Sequence, residues 1–516
     1  VTGTRSSARG LLLAILIPIL AFMSLSAWSL SSPVGSTPDD DFHLASIWCG
    51  LGDRDGLCEN RDDDPVERYV PTPLTTATCY AFLSAESGEC WNGEEAGMSN
   101  VDRANVDRLY PPVFYGVMSI FASENVAASV MAMKLFNSAF AVGLLSAVFF
   151  ALPRRLRPAL LISVIGTAVP LGVFVIGSTN PSSWALISAA TLWISLYGAL
   201  QSSGRQRIVL LALSVFGAAI GAGSRADSAV YAVFGVIVAL LLGVRLRRSQ
   251  WLPVAVAGVI VVMSILFYVS AWQGASIVGG LDSERLPLTG SQHLSNFLSA
   301  PSLWMGALGG WGLGWLDTPM PTAVSVLAGA VFWGAVFVGL GRSSVRRGIA
   351  VAMAVGAMWL VPVVLLAQSR MLVGELIQPR YLLPLLIIAL GVASVRFDAE
   401  PAWKGMRMVF AAAALSFAFT VALHFNIQRY TTGAERITAD PGAGAEWWWA
   451  WAPSPLVVWV GGSLAFVGMF VALWFVMRAD TAVSVLSDVD ARSTDTPEPL
   501  ACGSSAGPRT APAVGE

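Results

Sequence analysis

Charge is what this sequence has least of. Only 12% of its 516 residues are charged, about half the share typical of soluble domains. That excludes a chain made mainly of soluble domains. Lysine is almost missing: Lys134 and Lys404 are the only two among 31 basic residues. The net charge of −2 offers no global basis for nucleic-acid binding. No H-E-x-x-H, Walker or G-x-G-x-x-G sequence occurs, so a soluble nucleotide-sugar donor has no recognisable site. No short-period repeat is present, which removes a solenoid.

What remains is apolar. Hydrophobic residues make up 55% of the chain and the mean hydropathy is +0.65. Apolar runs of about 20 residues recur, the length that crosses a bilayer. The expected fold is all-α and polytopic, with spans at 11–30, 126–152, 159–177, 182–200, 208–223, 228–244, 252–271, 321–341, 348–368, 380–396, 406–425 and 455–477. The first run exceeds a signal-peptide core and is read as an uncleaved helix entering from the inside, after Arg5 and Arg9. With that count, every short arginine-rich loop falls on one face: Arg154, Arg155 and Arg157; Arg205 and Arg207; Arg245, Arg247 and Arg248; Arg342, Arg346 and Arg347; Arg396, Lys404 and Arg407; and Arg478. That face is expected to be cytoplasmic. The count requires 297–316 to be interfacial or re-entrant. Residues 110–122, too short to cross, are expected to form an interfacial helix. Residues 479–516 are expected to be a disordered cytoplasmic tail. The arginine-over-lysine bias suggests a GC-rich bacterial genome, hence a bacterial plasma membrane.

Residues 31–109 are the largest polar segment, with 16 acidic residues against five arginines. They are expected outside as a compact loop with short helices. Cys49, Cys58, Cys79 and Cys90 all lie in it, and Cys502 lies far away. Two disulfides fit an extracytoplasmic loop, with the local pairings Cys49–Cys58 and Cys79–Cys90 expected. A zinc site is the rival, but the C-x8-C and C-x10-C spacings suit it poorly.

Several polar groups share the expected outer face. Pro38-Asp39-Asp40-Asp41-Phe42-His43 follows the first span. One carboxylate there can take a proton from a hydroxyl while a neighbour tunes its pKa, and Asp39 with Asp40 can hold a divalent metal such as Mg or Mn. Alternatively, the acids simply end a helix at the membrane surface. Arg225 and Asp227 lie between two spans, either as a self-satisfying pair or as a functional one. Arg380, in Gln378-Pro-Arg-Tyr381, faces outward against the charge trend and suits a phosphate; snorkelling or pairing with Glu375 is the structural alternative. Asp317 follows a glycine-rich run that has no strand before it and no lysine after it, so it is no nucleotide loop. Trp447, Trp448, Trp449 and Trp451 suit membrane anchoring or stacking on a sugar. His424, Asn426, Gln428 and Arg429 are polar candidates without a motif.

Taken together, P-D-D-D-F-H at 38–43, Y-P-P-V-F-Y at 110–115, T-N-P at 179–181, S-R-A-D at 224–227, G-W-L-D-T-P-M-P at 314–321 and Q-P-R-Y-L-L-P at 378–384 resemble the multi-pass bacterial membrane family of domain of unknown function 2142. That family is similar to the GT-C glycosyltransferases. In the family's usual Asp-Glu-Pro-x-His, Asp40 stands here for Glu and Asp41 for Pro. The resemblance implies an inverting transfer of a sugar from a polyprenyl phosphate to a cell-envelope glycan or glycolipid. It places Asp39, Asp40, Asp41 and His43 at the chemistry and Arg380, Arg225 and Tyr381 at the donor phosphate. Tyr110, Tyr115, Asn180, Asp227, Asp317 and Trp447 would contact substrate. Many GT-C enzymes carry a soluble C-terminal domain; here acceptor recognition is expected from the loops 31–109, 272–320 and 426–454. The competing expectations are a flippase for lipid-linked glycans and a non-catalytic envelope-assembly protein.

Overall fold

The computed structural model describes residues 2–61, 64–245, 247–274, 285–341, 344–396 and 399–493. The expectations for Arg342, Cys502 and the chain beyond Ser493 fall outside these residues, as do the side chains of Arg5, Arg9 and Arg478.

Among the described residues, 11 helices are long and apolar enough to cross a membrane. They are Leu12–Leu30, Val126–Ala151, Arg154–Ile176, Ser182–Leu200, Gly204–Ala222, Ala226–Gly243, Arg248–Val269, Thr322–Gly339, Val345–Gln368, Met406–Thr432 and Pro455–Val476. Each coincides with an expected span. The remaining one, expected at 380–396, is only the helix Leu383–Ala393, and every residue in it is buried. Its 11 residues reach about 16 Å, roughly half the hydrocarbon thickness. Gly391 lets Trp193 approach; a Cβ there would lie 2.5 Å from its ring. Tyr231, in the second turn of Ala226–Gly243, donates to the Tyr381 carbonyl (2.7 Å), so this short central helix starts inside its neighbour's end, and Pro379 and Arg380 in the turn before it are buried.

Hydrogen bonds tie the connecting loops into two faces. On one, Gln206 reaches the Ala151 carbonyl (2.8 Å), Arg207 that of Ser249 (2.7 Å) and Arg347 that of Val395 (2.8 Å). On the other, Asn180 reaches Pro38 (2.9 Å), the Val113 amide reaches the Gly223 carbonyl (2.9 Å) and the Ala226 amide reaches Gln273 (2.8 Å). The described arginine-rich loops therefore gather at one end of the bundle, and the loop 31–109 at the other.

The stretch near 297–316 is re-entrant. Helix Gly290–Ser299 leads through Pro301–Met305 into a kink at 306–310. Trp304 donates to the Met358 carbonyl (2.8 Å), in the middle of Val345–Gln368. Gly309 turns the chain back with φ +99°, and a Cβ there would crowd Val324 and Pro170. The patch expected to lie on the membrane, 110–122, instead forms Val113–Met118 with Phe114, Tyr115 and Met118 buried in protein. Its aromatic side chains find partners in the bundle that lipid would otherwise supply.

The polar loop adds structure that its short alternating runs hid: an antiparallel sheet of β1 (Glu59–Asn60), β2 (Arg68–Pro71) and β3 (Met98–Val101), in that spatial order. Cys49 bonds Cys58, and Cys79 bonds Cys90. The last helix runs Pro455–Ser493. It continues past Arg478, the end expected from hydropathy. Residues 479–493 contain no Pro or Gly to break a helix.

Candidate active site

The segment leading out of the first span is held one carbonyl at a time. The acceptors run without a gap from Ser31 to Pro38. Asn426 reaches Ser31 (3.3 Å), and the Lys134 ammonium reaches Ser32 (2.8 Å) and Pro33 (3.1 Å). Tyr80 bonds Val34, Trp315 bonds Gly35 (2.9 Å) and Tyr430 bonds Ser36 (3.3 Å). The Asp40 amide bonds Thr37 (3.1 Å) and Asn180 bonds Pro38 (2.9 Å). A buried irregular chain must satisfy its polar groups this way or lose stability. The donors are scattered along the chain, so the whole fold fixes the position of the next residue, Asp39. It precedes the helix Asp40–Trp48 in the left-handed conformation (φ 64°).

Asp39 points at the turn that precedes the central helix. Its carboxylate meets Arg380 Nη2 at 2.5 Å; the Arg380 side chain is buried and that of Asp39 is 37% exposed. Arg380 also bonds Gln378 and, at 3.2 Å, the Tyr381 hydroxyl. Beside it, Arg225 makes a two-pronged pair with Asp227 (2.9 and 2.8 Å). The Tyr381 ring lies 5.0 Å from each of the two guanidinium groups, and the Tyr110 ring lies 5.7 Å from Arg225. Aromatic faces stabilise such cations where water is scarce. Burial would raise the Asp39 pKa, but Arg380, with His43, Arg225 and Arg103, outweighs it and holds the carboxyl below its ordinary value.

The neighbouring groups part company. Asp40 accepts from the Thr37 amide (3.0 Å) and the Thr179 hydroxyl (3.2 Å). Burial raises its pKa to about 6, against those bonds and the nearby Lys134 charge. Asp41 turns outward to Arg103; burial raises its pKa, opposed by that arginine. His43 lies under Asp39, with Nδ1 2.8 Å from the Tyr115 hydroxyl and Tyr110 against its ring. Burial lowers its pKa to about 3, although Asp39 opposes this, so the imidazole is neutral. Among the described residues its buried Nε2 makes no hydrogen bond.

Residues 22–389 match the family described as predicted membrane protein, DUF2142. The match covers well over half of the chain. The chain belongs to that family. No curated protein matches it.

In this DUF2142 protein the motif residues divide into two groups by position. Asp39, His43, Tyr110, Tyr115, Arg225, Asp227, Arg380 and Tyr381 meet in one cluster. Asn180 stays outside it, bracing Pro38. Asp317 and Trp447 stand apart too. Asp317 pairs with Arg429 (2.8 Å), both side chains buried, and Arg429 also binds the Tyr80 (3.0 Å) and Leu83 (3.1 Å) carbonyls. Trp447 is buried against Gly88 and Trp449, and Trp449 donates to the Leu30 carbonyl (3.0 Å). These tryptophans brace the loop from within; Trp451, 61% exposed, faces out. Arg429, Asn426 and Gln428 fasten loops, the last through Thr438 (3.2 Å).

The metal expectation does not fit this geometry. Asp39 and Asp40 direct their carboxylates at different partners. Among the described residues no group of three or more His, Cys, Asp or Glu gathers as ligands would. Two contributors were not among the residues expected at the site. Lys134, an ionisable residue inside an apolar run, carried a signal in its position. Arg103, one more arginine in a polar loop, carried none.

Proposed function

We propose that this protein is a membrane glycosyltransferase that takes a sugar from a polyprenyl phosphate, works at the loop-bearing face, and inverts the anomeric centre. One observation carries the reading: a partly exposed carboxylate, Asp39, paired with a buried arginine, Arg380, at the loop-bearing end of the bundle. The loop-bearing face is extracytoplasmic in this reading, because the arginine-rich loops sit opposite it.

Asp39 is the general base. Its low pKa keeps it ionised at neutral pH, ready to receive the proton of an acceptor hydroxyl. The acceptor oxygen bonds the anomeric carbon as the bond from that carbon to the phosphate oxygen breaks. The electron pair leaves with the lipid phosphate, and Arg380 stabilises the added charge. Donor binding draws Arg380 from carboxylate to phosphate and frees Asp39. Arg225, neutralised by Asp227, positions Tyr381 and Tyr110 and contributes no net charge at the phosphate. His43 supports Asp39 from below as a neutral imidazole. Asp40 belongs to the scaffold. The clustering of ionisable groups at one face favours this reading over a flippase, which would place them near mid-membrane.

Purified protein supplied with a polyprenyl-phosphate sugar and a glycan acceptor should form product. Asp39→Asn should lower the rate by about 100-fold or more, the usual scale for a general base, with unfolding temperature little changed. Full transfer by a folded Asp39→Asn variant refutes the assignment.

A further inference from the structure

The opposite face of the molecule carries a polar cavity of about 380 Å³. It lies where the turn after Ser182–Leu200 meets the connection from Ala226–Gly243 to Trp251–Val269. Nine of its ten lining residues are polar or charged; Arg207, Arg245 and Arg247 are among them, and no carboxylate is. We propose that this cavity binds the phosphate-bearing headgroup of an anionic phospholipid in the leaflet on the arginine-rich side.

The cavity is built from fixed parts. Gln250 is buried and holds three strands of loop together: its amide donates to the carbonyls of Leu200 (3.3 Å) and Gly243 (3.4 Å), and its oxygen accepts from the Arg245 amide (2.5 Å). Arg207 clamps the rim through the carbonyls of Ser202 (2.8 Å) and Ser249 (2.7 Å). Arg245 and Arg247 remain exposed at the mouth. The first turn of Gly204–Ala222 lines the same space through Gln206 and Arg207, adding the positive end of a helix dipole.

Charge sets the ligand class. The chain has no Asp or Glu between Glu124 and Asp227, and none between Asp227 and Asp282. The loops there carry Arg154, Arg155, Arg157, Arg205, Arg207, Arg245, Arg247 and Arg248. This exceeds what a topology signal needs, and a volume above about 300 Å³ admits a small ligand. The surroundings favour a lipid over a free phosphate. Trp251 (69% exposed), Ile208 (54%) and Val254 (44%) stand on the helices that leave the cavity and form an exposed apolar surface beside it. Acyl chains can lie on that surface while the headgroup enters the cavity, as in other basic pockets at helix ends.

The test uses the full chain in mild detergent. Binding of dioleoyl phosphatidylglycerol, dioleoyl phosphatidylcholine and glycerol 3-phosphate is measured by native mass spectrometry and by thermal shift. The Arg245→Gln, Arg247→Gln double variant should bind phosphatidylglycerol about tenfold or more weakly, the scale expected for two interfacial arginines. A charge-matched control on the same face, Arg154→Gln with Arg407→Gln, should bind it as the parent does. Equal weakening in both variants would mean a general surface charge effect and overturn the proposal. Equal binding of phosphatidylcholine would overturn it too. Glycerol 3-phosphate bound as tightly as the lipid would make this a soluble-phosphate site and reject the lipid. None of these outcomes depends on transferase activity.

Discussion

At the scale of single residues, three adjacent aspartates meet three different fates. Asp39 faces a buried arginine, Asp40 a scaffold threonine, Asp41 an exposed arginine. The difference is backbone geometry: a left-handed residue at 39 sends its side chain away from those of the helix after it. Sequence alone marked the triplet as a site but left its working member open, because the carbonyl-by-carbonyl anchoring of 31–38 uses distant donors. The same scale separates Asp317 from Asp39. Asp317→Asn leaves Arg429 buried beside a neutral amide, so thermal unfolding should show a loss of about 3–5 kcal/mol, whereas Asp39→Asn should affect transfer far more than stability. Asp40 makes a pH prediction. Its pKa is raised to about 6 by burial, so the folded state holds a proton that the unfolded state gives up. Its contribution to stability is complete below the unfolded value of 3.8 and is lost as pH rises through about 6. His43 acts in the opposite sense: with its pKa lowered to about 3 from 6.5, it costs stability as pH falls below 6.5. In Asp40→Asn the unfolding temperature, followed from pH 7 to 4, should therefore fall more steeply with acid than in the parent; an unchanged profile would contradict the buried-acid assignment.

Among the elements, the two that matter most are irregular. The central helix Leu383–Ala393 is short because Pro379 and Pro384 confine its start and a turn precedes it. That shortness leaves Arg380 buried among the surrounding helices. The re-entrant segment closes the neighbouring space, and its turn depends on Gly309. A Cβ there would lie 3.0 Å from Val324 and 3.1 Å from Pro170, at φ +99°. Gly309→Ala should cost about 1–3 kcal/mol through backbone strain and crowding, measured by thermal denaturation in detergent. Gly334→Ala, a helical glycine with open space around it, is the control and should be neutral or slightly stabilising. Eleven of the 12 expected spans were legible because length and apolarity alone make a span; the run at 380–396 was apolar enough, but its helix is only Leu383–Ala393. The short sheet β1–β2–β3 was not, since its strands are too brief for an alternating pattern to stand out. The inward packing of Val113–Met118 was equally hidden: an aromatic, amphipathic patch looks the same whether its partner is lipid or protein.

For the molecule as a whole, the prediction concerns sidedness. In intact cells, single cysteines introduced near 290 and 440 should react with a membrane-impermeant thiol reagent from outside, and one near 345 only after the membrane is opened. The reverse labelling would invert the proposed working face. Sequence by itself determined the apolar runs, the alternation of arginine-rich loops, the pairing-prone cysteines and the family, because each follows from local composition or from spacing along the chain. The tertiary structure decided which polar residues work together. Asp39 and Arg380 are 341 positions apart, and Asp317, which looked like their neighbour by sidedness, turned to Arg429 instead. Topology assigns a residue to a face of the membrane, but only packing assigns it to a place on that face. The anchored carbonyls of 31–38 and the shortened central helix make that choice here, by fixing where one carboxylate can point and how deep its arginine lies.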